Sequence, residues 1–300
     1  MQRFFNGVTA VLLAQMVVTA AAAQERPQVV TVNYPLQYFT ERLVGDAADV
    51  VFPVPADVDP SFWRPSIADV SEVQTADLIL LNGAKFATWV DRVSLPRSRV
   101  INSSAAIEDQ FIVTESITHS HGDGGEHSHE GLASYVWLDP VLAAAQAEAI
   151  AAAITARDIA PAGQVEDQLE QLRADLTALD QTAEDVFATL ASVPMIATHP
   201  RYQYLAGRYA LTVSSLDWEA GEAPNPDQLA ELSALRNQTG AEILIWEAEP
   251  PAAAIEAAEK LGLQNVVFPT LAHKPTDRTF IEAYQKALSD FSTASQNLQN

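Results

Sequence analysis

Four of the six histidines in this chain fall within eleven residues, inside the tract 118–130. They are His119, His121, His127 and His129, grouped as two His-Ser-His triplets on either side of three glycines. Neutral imidazole is a common ligand of divalent transition metals, and short histidine-rich tracts are typical of metal binding. The glycines predict a flexible loop, which cannot preform a tetrahedral site. We therefore expect the tract to collect a divalent cation, Zn²⁺ before other transition metals, and to feed a more ordered site.

Two further candidate ligands follow apolar runs that read as strands. His199 comes directly after the run 195–198, and Glu247 comes directly after the run 243–246. Open α/β sheets hold ligands at the carboxyl ends of their parallel strands, so we expect both side chains at one edge of a sheet. A lone histidine at such a place could equally be a satisfied core residue. His273, after the last predicted strand, could approach Glu247.

The elements that must position these side chains alternate between short apolar runs and amphipathic runs. In the first half we predict strands at 29–32, 50–54, 78–83 and 100–102, with helices at 35–45, 67–75 and 141–157. In the second half we predict strands at 195–198, 213–216, 243–246 and 266–268, with helices at 199–209, 226–239, 252–261 and 277–292, followed by a frayed tail. This alternation predicts an α/β fold with a mostly parallel sheet, flanked by helices, in each half.

A run without glycine or proline, residues 164–191, separates the two halves. We interpret it as a long rigid helix that joins two lobes and limits their relative motion to small rotations. The predicted organisation is a signal peptide at 1–23, an N-terminal lobe at 24–163 that contains the histidine tract, the linking helix at 164–191, and a C-terminal lobe at 192–300.

The first 23 residues carry Arg3, an uncharged apolar stretch and a final alanine run, which together predict a cleaved secretory signal peptide and a periplasmic protein. The chain has no cysteine, so a lipid anchor, disulfides and thiolate ligands are excluded. Its net charge of −22 argues against nucleic-acid binding and suits cation capture, although such a charge also keeps an exported protein soluble. No nucleophile elbow, phosphate-binding loop or H-E-x-x-H motif occurs, so we predict that the protein is not an enzyme.

Several segments occur in the order found in one protein family. They are residues 55–70, the run 76–83 with Trp89, the histidine tract, the Val-Trp-Leu-Asp-Pro segment at 136–140, and the Thr-His-Pro segment at 198–205. In these segments the chain resembles the zinc/manganese solute-binding proteins of ABC importers. The resemblance implies two α/β lobes with a metal ion in the cleft between them. It also implies a carrier, expected to be monomeric, that docks on an ABC permease in the inner membrane.

The usual ligand positions of that family are mostly substituted in this chain. His199 occupies one of them, whereas Ser61, Tyr135 and Pro269 stand where the family has histidine, histidine and aspartate. One interpretation is a rebuilt zinc site made of His199, a carboxylate such as Glu247 or Asp59, and histidines of the tract. The alternative is a cleft, lined by aromatics such as Trp63, Trp137, Trp218 and Trp246, that binds a small organic molecule or metal chelate while the tract only buffers metal.

Overall fold

The computed structural model describes residues 26–114, 118–120, 126–128 and 131–300, and within them it contains two four-stranded parallel sheets. The first sheet consists of β1 (Gln28–Thr31), β2 (Asp49–Val51), β3 (Leu78–Leu81) and β4 (Val100–Asn102). A separate antiparallel pair joins β5 (Thr118–Ser120) to β6 (Glu126–Ser128). The second sheet consists of β7 (Met195–Ala197), β8 (Val213–Ser215), β9 (Ile243–Trp246) and β10 (Gln264–Val267).

Both parallel sheets have the same strand order. Counting strands within each half, the order is second, first, third, fourth: β2-β1-β3-β4 in one sheet and β8-β7-β9-β10 in the other. The direction of winding reverses between the first and third strands, and open parallel sheets bind ligands outside the carboxyl ends of the strands at this point. The predicted α/β fold, with two lobes that each contain a parallel sheet flanked by helices, is confirmed.

The helices lie between the strands of each sheet and in a central group that connects the halves. They are α1 (Tyr34–Val44), α2 (Ile67–Val73), α3 (Pro140–Thr155), α4 (Ala162–Ala188), α5 (Gln203–Arg208), α6 (Pro226–Thr239), α7 (Ala252–Lys260) and α8 (Phe280–Leu298). Local sequence sets several of their ends. The Asn225 side chain caps the first turn of α6, and α6 ends at Gly240, whose φ of 71° is a left-handed conformation that suits glycine.

The long helix α4 packs against α1 and α3 of the first half and against α8 of the second. Its buried face consists of Val165, Leu172, Leu176, Leu179, Asp180, Ala183 and Phe187. Charged contacts reinforce the packing of α4 against each half. Arg42 on α1 donates to Asp175 at 2.7 Å, and Arg208 on α5 donates to Asp180. One continuous helix therefore contacts elements of both halves. The exact lobe boundaries given above stay predictions.

Two helices differ from their predicted bounds by four residues or more at one end. The helix predicted at 199–209 begins only at Gln203, because proline at position 200 disfavours a helical backbone at His199 and the chain turns there instead, with Arg201 N donating to the His199 carbonyl. The helix predicted at 277–292 runs from Phe280 to Leu298. The expected fraying of the tail is wrong because Ala294 and Ser295 are buried, and Ser295 shares a hydrogen bond with Thr189.

The two halves share one hydrophobic core, and hydrogen bonds cross between them. The Trp137 indole donates to the Thr270 carbonyl at 2.7 Å, and the buried Tyr284 hydroxyl donates to the Leu138 carbonyl at 2.8 Å. Tyr38 stacks on Phe280 with ring centroids 5.7 Å apart. Throughout the described residues, no helix has the length and apolarity that a membrane span requires. The predicted signal peptide lies outside the residues that the structure describes.

Candidate metal centre

The carboxyl ends of the second sheet bring the candidate ligands to one edge. His199 follows β7 and Glu247 follows β9, so both lie at the point where the winding of this sheet reverses. Asp217 follows β8, the other neighbour of β7. Backbone hydrogen bonds hold these strand ends together, because Thr198 N donates to the Ile245 carbonyl and Trp218 N donates to the Thr198 carbonyl, both within 3 Å.

The His199 ring is buried, with 5% of the residue exposed. Its Nδ1 lies 3.1 Å from the Trp218 carbonyl oxygen. Because a carbonyl only accepts, Nδ1–H is the donor, and the lone pair of the neutral ring is then on Nε2. Metal-binding histidines commonly donate the N–H of their other ring nitrogen to a carbonyl or carboxylate, which fixes the orientation of the ring.

The nitrogen that carries the lone pair faces Asp217. His199 Nε2 lies 3.6 Å from Asp217 Oδ1, and the Asp217 side chain is 40% exposed. Two ligands of one tetrahedral zinc ion, each bonded at about 2.0–2.2 Å, are separated by roughly 3.3–3.5 Å. The separation of these two atoms is slightly longer than that, so a small movement of the half-exposed Asp217 side chain would let both bind one zinc ion.

Glu247 lies on the other edge of the imidazole ring. Its Oε2 is 3.6 Å from His199 Nδ1, the nitrogen that donates to Trp218, and not beside Nε2. Its Oε1 accepts a hydrogen bond from Thr270 Oγ1 at 3.1 Å. The structure thus brings Glu247 next to His199, as the sequence predicts, but orients it as a neighbour of the ring. A zinc ion on Nε2 would have Asp217 as its nearer carboxylate.

A buried arginine, Arg201, lies between the two halves. Its Nη2 donates to Asp59 Oδ2 at 2.6 Å, and its Nε lies 3.3 Å from Glu247 Oε2. Its guanidinium carbon sits 4.9 Å from the centroid of the Tyr135 ring, a cation–π distance. Only 7% of the residue is exposed. Arg201 therefore links a loop of the first half to the switch point of the second sheet, the place between β7 and β9 where the winding reverses.

The environment keeps this ion pair charged. Burial by itself would raise the pKa of the Asp59 carboxyl, but Arg201 and the hydroxyl and backbone N–H of Ser61 outweigh burial and hold that pKa below its ordinary value. Burial likewise disfavours the charged guanidinium, yet the neighbouring Glu247 and Asp59 carboxylates raise the Arg201 pKa above its ordinary value. The contact is therefore ionic throughout the neutral range.

Of the three substituted family positions, one contacts this arginine and the other two lie at or next to residues that hold its partners. Ser61 donates to Asp59 through both its hydroxyl and its backbone N–H, and the Tyr135 ring packs on the guanidinium. Pro269 lies next to Thr270, whose hydroxyl donates to Glu247. Each position that could have supplied a metal ligand thus supports or borders the Arg201 ion pairs. Polar contacts therefore run from Asp59 in the first half, through Arg201, to Glu247 in the second half.

The remaining sequence-based candidates are placed as follows. The imidazole of His273 donates through Nε2 to the Val58 carbonyl and packs on Phe52, so it joins the halves and is not a neighbour of Glu247 in the contacts described. In the histidine tract, the backbones of His119 and His127 pair across β5 and β6. His121 and His129 lie outside the described residues. This strand pair was not predicted, because the glycine-rich tract lacks the β-branched pattern of a strand.

Among the described residues, no group of three or more histidine, aspartate or glutamate side chains is arranged to hold a metal ion. His199 and Asp217 are two potential ligands and fall short of such a group. Sequence reasoning missed Asp217 and Arg201. The rule that identified His199 and Glu247, a polar residue just beyond a parallel strand, would also have indicated Asp217 after β8. No motif indicated Arg201, because a single arginine carries no spacing signal.

Comparison with known proteins gives a consistent family assignment. The model of the family described as zinc-uptake complex component A, periplasmic, matches residues 29–294. The chain is 26% identical over 259 residues to the high-affinity zinc uptake system protein ZnuA of Bacillus subtilis, covering 84% of this chain and 81% of that protein. It is 28% identical over 218 residues to the zinc-binding lipoprotein AdcA of Streptococcus pneumoniae, covering 70% of this chain and 43% of that longer protein.

Solved structures share the fold. The metal-dependent lipoprotein YcdH of Bacillus subtilis superimposes with a TM-score of 0.74 at 23% identity, covering 90% of this chain and 99% of that one. Zn(II)-bound AdcA of Streptococcus pneumoniae superimposes with a TM-score of 0.74 at 21% identity, covering 90% of this chain and 58% of that one. At these identities the likeness establishes the architecture.

Proposed function

Because the chain belongs to the periplasmic zinc-uptake complex component A family, we propose that it is an extracytoplasmic solute-binding protein that captures Zn²⁺ and delivers it to an ABC importer. The curated relatives support zinc as the cargo, since they are named as a zinc uptake protein and a zinc-binding lipoprotein. The family is one of solute-binding proteins, and we infer that this chain likewise binds and releases its cargo without catalysis.

The observation that carries this proposal is the pairing of His199 with Asp217. The Trp218 carbonyl fixes the His199 ring through Nδ1, and Nε2 lies 3.6 Å from Asp217 Oδ1. A nitrogen lone pair beside a carboxylate, close to the spacing of zinc ligands, is a donor set that suits zinc. In our proposal these two side chains are the fixed half of the zinc site.

We propose that the histidine tract supplies the other half. His119, His121, His127 and His129 are the candidate ligands, and the support comes from the two described ends of the tract. The Tyr204 hydroxyl, on the helix that follows His199, donates to the Ala133 carbonyl at 3.1 Å and accepts from Ile112 N. Val113 also bridges to Leu132. The residues that flank the tract on both sides are thus anchored beside α5, the helix that follows His199.

The charge of the cleft supports a cation as the cargo. Asp59, Asp217 and Glu247 supply three carboxylates, and Arg201 supplies one positive charge. The remaining two negative charges match one divalent cation. Because Glu247 lies beside His199 Nδ1, we propose that it acts on the zinc site through the His199 ring and not as a direct ligand. From the family assignment we also propose that the carrier acts as a periplasmic monomer and docks on an inner-membrane permease.

A metal chelate or small organic molecule is the second candidate cargo, and one observation favours it. Among the described residues, the Tyr135 hydroxyl and the Trp218 indole N–H are buried without a hydrogen-bond acceptor, and so is Arg201 Nε, which has only its ion pair with Glu247. Oxygen atoms of a chelating carboxylate would satisfy them. The aromatic lining expected for such a ligand is not supported, because Trp63, Trp137 and Trp246 are buried against Trp89, Thr270 and Asn265.

Equilibrium zinc titration of the purified protein tests the proposal. We expect one high-affinity zinc ion that is lost in the His199→Ala variant, and a reduced number of bound ions or a slower loading rate when residues 119–129 are deleted. High-affinity binding that persists unchanged in His199→Ala would contradict a cleft site. Binding in the presence of citrate, and not with the free ion, would instead favour the chelate.

A further inference from the structure

We infer that Arg201 is a specificity-determining residue of the cleft: a cation built into the chain that occupies Asp59 and Glu247 and so limits how many carboxylates a bound metal ion can recruit. The inference rests on the proposed function, because it concerns the ion held at His199. Its consequence is a preference for nitrogen-liganded zinc over ions that prefer oxygen ligands.

The contacts of Arg201 show how the two carboxylates are occupied. Nη2 donates to Asp59 at 2.6 Å, and Nε lies 3.3 Å from the same Glu247 oxygen, Oε2, that is 3.6 Å from His199 Nδ1. Glu247 therefore lies between the histidine and the arginine. A metal ion that recruited Glu247 or Asp59 would have to share that carboxylate with the guanidinium or displace the guanidinium from it.

Displacement is hindered because the arginine is held in place. Its guanidinium carbon lies 4.9 Å from the Tyr135 ring centroid, and 7% of the residue is exposed. The partners are themselves fixed: Ser61 donates twice to Asp59, and Thr270 donates to Glu247. A buried charge that loses its partner is costly, so a guanidinium left unpaired in this cleft would oppose the ion that displaced it.

The occupied carboxylates also set the donor chemistry of the site. With Asp59 and Glu247 paired to Arg201, the donors that remain at the ring are His199 Nε2 and Asp217, one nitrogen and one oxygen. Imidazole suits zinc, whereas manganese and magnesium prefer carboxylate and water oxygens. Removing the guanidinium would leave the Asp59 and Glu247 carboxylates available as oxygen ligands and would also remove one positive charge. Manganese should gain more from that change than zinc.

The test compares the Zn²⁺ and Mn²⁺ dissociation constants of the wild type with those of Arg201→Met, which keeps a long side chain against Tyr135 without charge. We expect Arg201→Met to bind Mn²⁺ about tenfold tighter or more, with a smaller gain for Zn²⁺. Arg278→Met is the matched control, since Arg278 is exposed and pairs with its neighbour Asp277. We expect this control to bind both ions as the wild type does.

Two further variants keep the test decisive. If Arg201→Met does not fold by circular dichroism, Arg201→Lys decides, because a single ammonium can pair with one carboxylate and should give an intermediate gain for Mn²⁺. In the double variant Arg201→Met with Asp59→Asn, the gain should shrink. Manganese affinity in Arg201→Met, or in Arg201→Lys, that equals or falls below that of Arg278→Met would overturn the inference.

Failure of this inference and failure of the proposed function give different results. If the wild type binds zinc through His199 and Arg201→Met does not gain manganese affinity, the carrier function stands and the role of Arg201 is wrong. If the wild type binds no zinc in the cleft and Arg201→Met binds manganese tightly, the role of Arg201 stands and the zinc proposal is wrong.

Discussion

The chemistry of the cleft depends on which nitrogen of His199 carries the lone pair. The Trp218 carbonyl selects Nδ1 as the donor, so Nε2 faces Asp217 as a potential ligand. Trp218 and Asp217 are consecutive residues after β8. A single turn of chain thus supplies both the acceptor that fixes the ring through Nδ1 and the carboxylate that lies beside Nε2.

The account predicts that Asp217→Asn weakens zinc binding by about tenfold or more, because it removes an anionic ligand while keeping the size of the side chain. Competition with a chromophoric chelator measures the change. Glu231→Gln, a substitution of an exposed acid on α6, removes the same charge and should leave the zinc affinity near that of the wild type. Equal affinities for the two variants would exclude Asp217 as a ligand.

At the residue scale, sequence reasoning found part of the cleft. The position rule for parallel strands identified His199 and Glu247, and the structure brings them together within 3.6 Å. The rule gives no orientation, so it could not show that Glu247 faces Nδ1. Arg201 could not be found at all, because its importance comes from burial between Asp59 and Glu247, which are 188 residues apart and meet only in the folded chain.

Helix α4 is the element that most clearly connects the two halves. Its buried leucines pack against α1, α3 and α8, and it carries the exposed Asp175 and the buried Asp180, which pair with Arg42 and Arg208. A helix with such continuous contacts moves as one piece with its neighbours. We therefore expect that loosening its core weakens the whole protein and not one half.

Leu176→Ala in α4 should lower the free energy of unfolding by about 2–5 kcal/mol, because it opens a cavity at a residue that is almost fully buried. Urea denaturation monitored by tryptophan fluorescence measures this change, and the unfolding transition should stay a single step. Gln171→Ala, on the exposed face of the same helix, should change stability by less than about 0.5 kcal/mol. A separate transition for one half in Leu176→Ala would show that α4 does not couple the halves.

At the element scale, the predicted bounds of a helix or strand are most accurate where a cap, a terminal glycine or an apolar run marks them in the sequence. Helix α6 has its predicted bounds because Asn225 caps its start and Gly240 ends it, and β9 has its predicted bounds because its four residues are all buried. The ends of α5 and α8 were predicted wrongly. The backbone restriction at His199 shortens α5, and tertiary packing of Ala294 and Ser295 extends α8 beyond what its composition indicates.

The whole molecule consists of two sheets with one strand order, but their switch points differ in chemistry. In the first sheet the corresponding strand ends lead to Asn33 and Asn82, which hydrogen-bond to each other at 3.2 Å in the buried interior. In the second sheet they lead to His199 and Glu247. The first half therefore contributes to the cleft through loops, by way of Asp59, Ser61 and Tyr135, and only the second uses its switch point for ionisable groups.

The free energy of unfolding should fall at alkaline pH, because both halves contain buried tyrosines with raised pKa values. Burial, followed by the charges of Tyr38 and Glu41, raises the pKa of Tyr34 to about 12, and burial also raises the pKa values of Tyr202 and Tyr284. A raised tyrosine pKa means that the folded state favours the neutral phenol. This contribution is complete below the unfolded pKa of about 10 and is lost as pH rises through the folded pKa.

We therefore expect the urea midpoint of unfolding to fall progressively between about pH 10 and pH 12. Tyr34→Phe should show a shallower fall over this range, because it removes one of the phenols whose ionisation opposes folding. Urea melts at intervals of half a pH unit measure both slopes. The same slope in both proteins would show that Tyr34 does not contribute to alkaline unfolding.

We propose that His199 and Asp217 hold one zinc ion in the cleft. Anomalous diffraction at the zinc edge, from crystals grown with one equivalent of zinc, locates that ion. We expect a single strong peak at about 2.0–2.2 Å from both His199 Nε2 and an Asp217 carboxylate oxygen, with the Arg201 ion pairs to Asp59 and Glu247 intact. A peak located only at surface carboxylates, or one bound by Glu247 in place of Arg201, would contradict it.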